Sequence, residues 1–200
     1  FQLGDPHLGT TGRPTLVTGW PGYPMPHIVS SEDFEPDFGA AVHLNGTDNM
    51  GVAIVEGLDV SSSTVAGIRT QQTLDVIIRN NYVHDTARAG IEAIDTRGTI
   101  IESNVVVNAH ETATATMRAW EGAITVRAGV RDPIARNNIV CGGRRRGIAF
   151  NEVMGNGVID HNTVAMAMDG VFSAQGAEGL TITNNIVIGN DAQGVNINDE

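Results

Sequence analysis

Two hundred residues, 41% hydrophobic and 18% charged, allow one domain of ordinary size or one elongated repeat domain and exclude a disordered tail. No window approaches the roughly 18 uninterrupted apolar residues of a membrane-spanning helix. Twelve cations against 23 acids give a net charge of −11, which argues against nucleic acid as a partner; all twelve cations are Arg, so no lysine serves as base or Schiff-base former.

Aromatic residues are 4% of the chain and Gly is 24 of 200, so small and β-branched side chains must fill the core. Cys141 stands alone, which leaves no intrachain disulfide and neither requires nor forbids an extracellular setting. Seven of the twelve Arg fall between residues 118 and 146, against Glu121 and Asp132. This segment carries a local +5 in an acidic molecule, a candidate anion site.

In chain order, a Pro- and Gly-rich run, GTTGRPTLVTGWPGYPMPHIV (9–29), is followed by AAVHLNGTDNMGVAIVEGLDV (40–60). Five self-similar segments then follow: LDVIIRNNYVHD (74–85), GTIIESNVVVNA (98–109), DPIARNNIVCGG (132–143), NGVIDHNTVAMA (156–167) and EGLTITNNIVIG (178–189). Each has an apolar stretch, an Asn, one residue, then Val. The Asn column is Asn81, Asn104, Asn138, Asn162 and Asn185, in steps of 23, 34, 24 and 23, and Asp59 fits as an earlier member. A second column runs half a repeat out of phase: Gly67-Ile68, Gly90-Ile91, Ala123-Ile124, Gly147-Ile148, Gly170-Val171 and Gly194-Val195.

A period of 22–24 with short apolar alternations and no helical spacing means about three short strands per repeat. Leucine-rich repeats lack support because their Leu scaffold is missing, and tetratricopeptide and ankyrin units are longer and helical. The expected fold is all-β: a single-stranded right-handed parallel β-helix of about seven coils, one of them long, with coils stacked at about 4.8 Å. In that frame Asn81, Asn104, Asn138, Asn162 and Asn185 form an inward amide ladder at one corner, where Asn tolerates left-handed backbone. The Gly column is expected to turn the chain with positive φ.

These motifs resemble the pectate-lyase-like superfamily, in particular its right-handed parallel β-helix repeat proteins, over about residues 9–200. The run 9–29 is similar to the opening coil of that branch and 40–60 to its second coil. The superfamily includes lyases, epimerases, hydrolases, tail spikes and adhesins, so the resemblance implies a fold more narrowly than a reaction. Motifs of pectin methylesterases and polygalacturonases are absent. The whole chain, 1–200, reads as one β-helix domain. Its ends read as cut, which predicts a piece of a longer polypeptide and self-association through uncapped end coils.

The resemblance implies that a ligand lies on the strand after the Gly column. Strand alternation gives that strand an outward row of Arg69, Glu92, Thr125, Ala149, Phe172 and Asn196, with His43 extending it upstream. A further row is Gln71, Ile94, Arg127, Asn151, Ala174 and Asn198. The 34-residue coil carries an insertion over 108–121 with His110, Glu111, Arg118, Trp120 and Glu121, and insertions in solenoids often build the binding surface. Arg144, Arg145 and Arg146 stand before the next strand.

The expected ligand is a polysaccharide or glycan met outside the cell or at its surface. Lyase or epimerase action on an acidic polymer needs a neutralised carboxylate and a base. The binding groups would be Arg69, Trp120, Glu121, Arg127, Arg144, Arg145, Arg146 and Asn151. His110 or His84 would act as base, with Glu92 as a third catalytic candidate. A hydrolase would instead pair Glu92 with Glu121 or Asp95. The alternative is a non-catalytic glycan-binding or structural module. Arg69 and Glu92 read as a surface ion pair and His161 as rear-face scaffold. No dense Asp/Asn loop points to calcium, although scattered carboxylates leave room for it. No other cofactor is indicated.

Overall fold

A computed structural model describes residues 2–4, 15–19, 24–29, 40–46, 52–61, 66–110, 121–175, 177 and 179–198. Within these residues the chain winds into three parallel sheets of eight, seven and seven strands, each successive strand entering the next sheet. We call them the front, second and third sheets. The front sheet runs from Gln2–Gly4 to Gln193–Asn198, the second from Thr15–Thr18 to Thr181–Thr183, and the third from His27–Val29 to Ile186–Ile188. Seven three-stranded coils result, with the final front strand beginning another, and no described residue is helical. Among the described residues, no helix is long and apolar enough to cross a membrane.

Register explains the sequence columns. Ile68, Ile91, Ile124, Ile148, Val171 and Val195 stack in the front sheet. Val60, Val83, Val106, Val140, Val164 and Val187 stack in the third. Val55, Ile78, Ile101, Ala135, Ile159 and Ile182 complete the set in the second. Because a parallel strand pairs residue for residue, a one-residue slip would turn each inward aliphatic group to the outside. Up to the last coil these columns form one continuous core with Phe150 as a buried ring; Ile182 and Val187 pack against it half-buried, and Val195 at the end of the front column is exposed.

The expected Asn ladder is present. Asn81, Asn104, Asn138 and Asn162 each donate a backbone N–H and an Nδ2–H to Oδ1 of the Asn one coil on, at 2.8–3.1 Å, with Asn185 the last acceptor. The same Nδ2 donates to a backbone carbonyl of the preceding coil, such as Ile78 for Asn104 and Ile101 for Asn138. In Asn104 and Asn138 Oδ1 therefore accepts twice and Nδ2 donates twice, which saturates a buried amide.

Three expectations need correction. The left-handed residue at this corner is the one before the ladder Asn: Asn80, Ser103, Asn137, His161 and Asn184 have φ of 52–56°. The ladder Asn is selected for hydrogen bonding, because the turn is completed one residue earlier. Second, Leu58 holds the upstream ladder position, its N–H donating to Asn81 Oδ1 at 3.1 Å, while Asp59 pairs with Tyr82 on the outer face of the third sheet. An aliphatic group can fill that place because only a backbone N–H is required of it. Third, Gly67, Gly90, Gly147 and Gly170 are not in the left-handed region. They are glycines because a Cβ would strike the ladder-adjacent valines, at 2.6 Å from Val83 Cγ1 for Gly67 and 2.5 Å from Val106 Cγ1 for Gly90.

Asn138→Ala removes the acceptor used by the N–H and Nδ2–H of Asn104 and the donor used by the Ile101 carbonyl. Leaving such buried groups unpaired should cost about 1–3 kcal/mol, read as a lowered urea midpoint with unchanged slope. Gly90→Ala should cost a similar ~1–3 kcal/mol by overpacking. Combined with Val106→Ala, it should cost less than the sum of the two single changes in a double-mutant cycle. Additive losses would remove the steric account of the Gly column.

Candidate functional site

The outward row of the front sheet has the expected order, His43, Arg69, Glu92, Thr125, Ala149, Phe172 and Asn196. Its burial was not foreseen. Arg69 and Glu92 retain only 1% and 2% exposure, so the pair is internal and not a surface pair. Arg69 Nε donates to Glu92 Oε2 at 2.8 Å, and Arg127, from the next coil and one row across, donates through Nε to Oε1 at 2.8 Å. Burial alone would raise the Glu92 pKa, but the Arg69 and Arg127 guanidinium groups overcome it and hold the carboxyl below the usual glutamate range. With both oxygens engaged, Glu92 acts as the counter-charge of an Arg–Glu–Arg strut.

Next in the row, His43 is pushed down to about 4, by burial first and by Arg69 second, so it is neutral at pH 7. Downstream the row turns apolar, and Ala149, Phe172 and Ala174 form their own cluster. Arg146 lies 3.5 Å over the Phe172 ring and 3.2 Å from Asp169. Of its neighbours, Arg144 is exposed and Arg145 half-buried. Asn151 is buried, its Nδ2 donating to Gln175 Oε1 at 3.4 Å.

His110, at φ 62°, directly follows the third-sheet strand Val105–Ala109 of the long coil. It is buried, and its Nε2–H donates to the Gly122 carbonyl at 3.0 Å; burial keeps its pKa below the ordinary histidine value. Glu121, also buried, is ion-paired with Arg88. Trp120, Glu111 and Arg118 lie outside the described residues. His84 stands apart from this group, on the outer face of the third sheet. Its Nδ1 is 2.7 Å from Asp85 Oδ2 and its Nε2 3.0 Å from Asp59 Oδ1. Burial disfavours its proton, but the two carboxylates outweigh burial and raise its pKa.

The structure therefore brings together Arg69, Glu92 and Arg127, and separately His110 with Glu121; His84 belongs to neither group. A concavity lies elsewhere, at the corner where the front sheet passes to the second. It is a groove of about 870 Å³ crossing five coils, from Gln71 through Asp95, Arg131 and Glu152 to Gln175, with Ile94, Val153 and Met154 as apolar contacts. Sequence reasoning reached Gln71, Ile94, Asp95 and, within the +5 segment, Arg131, but missed Glu152, Met154 and Gln175. The signal was available one residue past the second outward row. Gln72, Asp95, Ala128, Glu152 and Gln175 all carry φ of 47–60° and so mark the corner.

A family described as a right handed beta helix region matches residues 40–200. Searches of curated proteins and of solved structures returned no match.

Glu92→Gln should leave Arg69 buried without its counter-charge and destabilise the fold by about 3–5 kcal/mol. The folded-state pKa of Glu92 is depressed, so its contribution is present above the ordinary value of 4.5 and is lost as pH falls through the lower folded value. Unfolding followed against pH should therefore show a shallower acid limb in the variant than in the parent.

Proposed function

The chain belongs to the right-handed β-helix family, and on that premise we propose that it is a carbohydrate-active module that seats a polysaccharide lengthwise in the corner groove. The observation that supports this reading is the run of polar groups along five coils. Amides of Gln71 and Gln175, carboxylates of Asp95 and Glu152 and the guanidinium of Arg131 recur at coil spacing, about 4.8 Å, beside the apolar Ile94 and Met154. Such a mix suits sugar hydroxyls on one side and ring C–H faces on the other. Net charge and the two groove carboxylates disfavour a phosphate polymer. The reading retains the extracellular or cell-surface location expected for a polysaccharide ligand.

Lyase or epimerase action through Arg127 and Arg146 would compete with their pairing to Glu92 and Asp169. The groove carboxylates favour a second reading, glycosidic hydrolysis. Asp95 and Glu152 stand two coils apart, roughly 9–10 Å along the axis. That is near the separation at which one carboxyl protonates the leaving oxygen and the other activates water with inversion.

Affinity electrophoresis against neutral and uronate polysaccharides separates these readings. Arg131→Ala and Gln175→Ala should each weaken retention about tenfold, whereas His161→Asn on the exposed rear corner should leave it unchanged. Asp95→Asn or Glu152→Gln should abolish release of reducing ends while retention persists. Retention without any release would leave the binding module standing and end the hydrolytic reading. Absence of retention on every polymer, or equal weakening by His161→Asn, would overturn the groove assignment.

A further inference from the structure

From the outer face of the third sheet we infer that His27, Asp59 and His84, one from each of three successive coils, form a binding site for a divalent transition metal of the zinc class. The site is independent of the corner groove. His27 opens the strand His27–Val29 and pairs in register with Asp59, the first residue of Asp59–Ser61. Asp59 pairs in turn with Tyr82, and His84 follows two residues later in Tyr82–Thr86, so alternation turns it to the same face. One ligand atom from each of the three lies within 4.8 Å of the others. Tetrahedral ligands on zinc, with bonds of about 2.0–2.2 Å, stand about 3.4 Å apart. Small side-chain rotations therefore close the set.

Donor type selects the ion. Two imidazoles and one carboxylate suit zinc and its first-row neighbours, whereas calcium and magnesium take oxygen shells. A second shell is already built. His84 Nδ1 is 2.7 Å from Asp85 Oδ2, and Asp85 Oδ1 accepts from Asn108 Nδ2 at 3.1 Å, so the carboxylate that orients the ring is itself held by the following coil. With Nδ1–H donated to Asp85, Nε2 presents its lone pair to Asp59 Oδ1 at 3.0 Å. Two acceptors at that distance require a positive centre between them, supplied by a proton or by a metal ion. Tyr82 stacks on His84 at 4.5 Å between centroids, and the His27 ring stacks on His84 at 5.9 Å, so both imidazoles are already side by side on this face. Ser61 Oγ, hydrogen-bonded to His27 Nε2, lies beside the site. Three protein ligands leave a fourth position for solvent, as in open zinc sites.

Titration of the chelator-treated chain with zinc chloride, followed by calorimetry, tests the site. One equivalent should bind, and cobalt(II) in its place should give the intense visible bands of a tetrahedral complex. Asp85→Asn should lower affinity roughly 10–100-fold. His27→Gln, Asp59→Asn and His84→Gln should each lower it further, and His161→Asn should not change it. His27 is exposed, so its variant tests the ligand without threatening the core. Absence of stoichiometric binding by the parent chain, or undiminished affinity in the His27 and Asp59 variants, would overturn the assignment.

Discussion

The molecule depends on one repeated contact, the amide of a corner Asn held between the coil before and the coil after. A parallel solenoid has no hairpins to set its register, and its strands are only three to six residues long. Each coil is therefore too small to fix its own geometry. The ladder supplies what the strands lack. It satisfies the corner N–H of one coil with the Oδ1 of the next and fixes the axial offset between them. Once that offset is set, every aliphatic column falls into line, since the Val two residues beyond the Asn enters the core at the same height in each coil.

Glycine at the following corner is a consequence of the same contact. The valine that the ladder draws inward occupies the space a side chain would need at Gly67 or Gly90. Ala123 takes that position in the long coil, so the front strand there admits a methyl group. The two columns visible in the sequence are thus one packing event seen from two sides.

This explains how much could be read without coordinates. The coil number, the inward columns, the ladder and the pairing of Arg69 and Glu92 follow from periodicity, because each is a rule applied once per repeat. What escaped were properties that belong to no single repeat. Burial of Arg69 and Glu92 depends on what neighbouring coils place above them, and alternation alone gives only the direction of a side chain. The groove from Gln71 to Gln175 depends on the curvature of a corner, where the residues are chemically varied and carry no consensus. The meeting of His27, Asp59 and His84 joins two different positions of the repeat, so aligning equivalent positions conceals it. Asp59 was misassigned for a related reason: a carboxylate imitates an amide in an alignment, whereas the ladder end required only an acceptor-directed N–H, which Leu58 provides.

The coil between Asn104 and Asn138 is longer than the others by about ten residues, yet its ladder bonds, 3.0 and 3.1 Å, are those of its neighbours. The frame therefore registers only the two ends of that coil and not the length between them. Natural variation can lengthen, shorten or exchange the segment between His110 and Glu121 without renegotiating the solenoid, so a new surface can be acquired in a single genetic step. For the protein engineer, the same junction is a splice point at which a foreign peptide or a small domain can be displayed on a stiff rod.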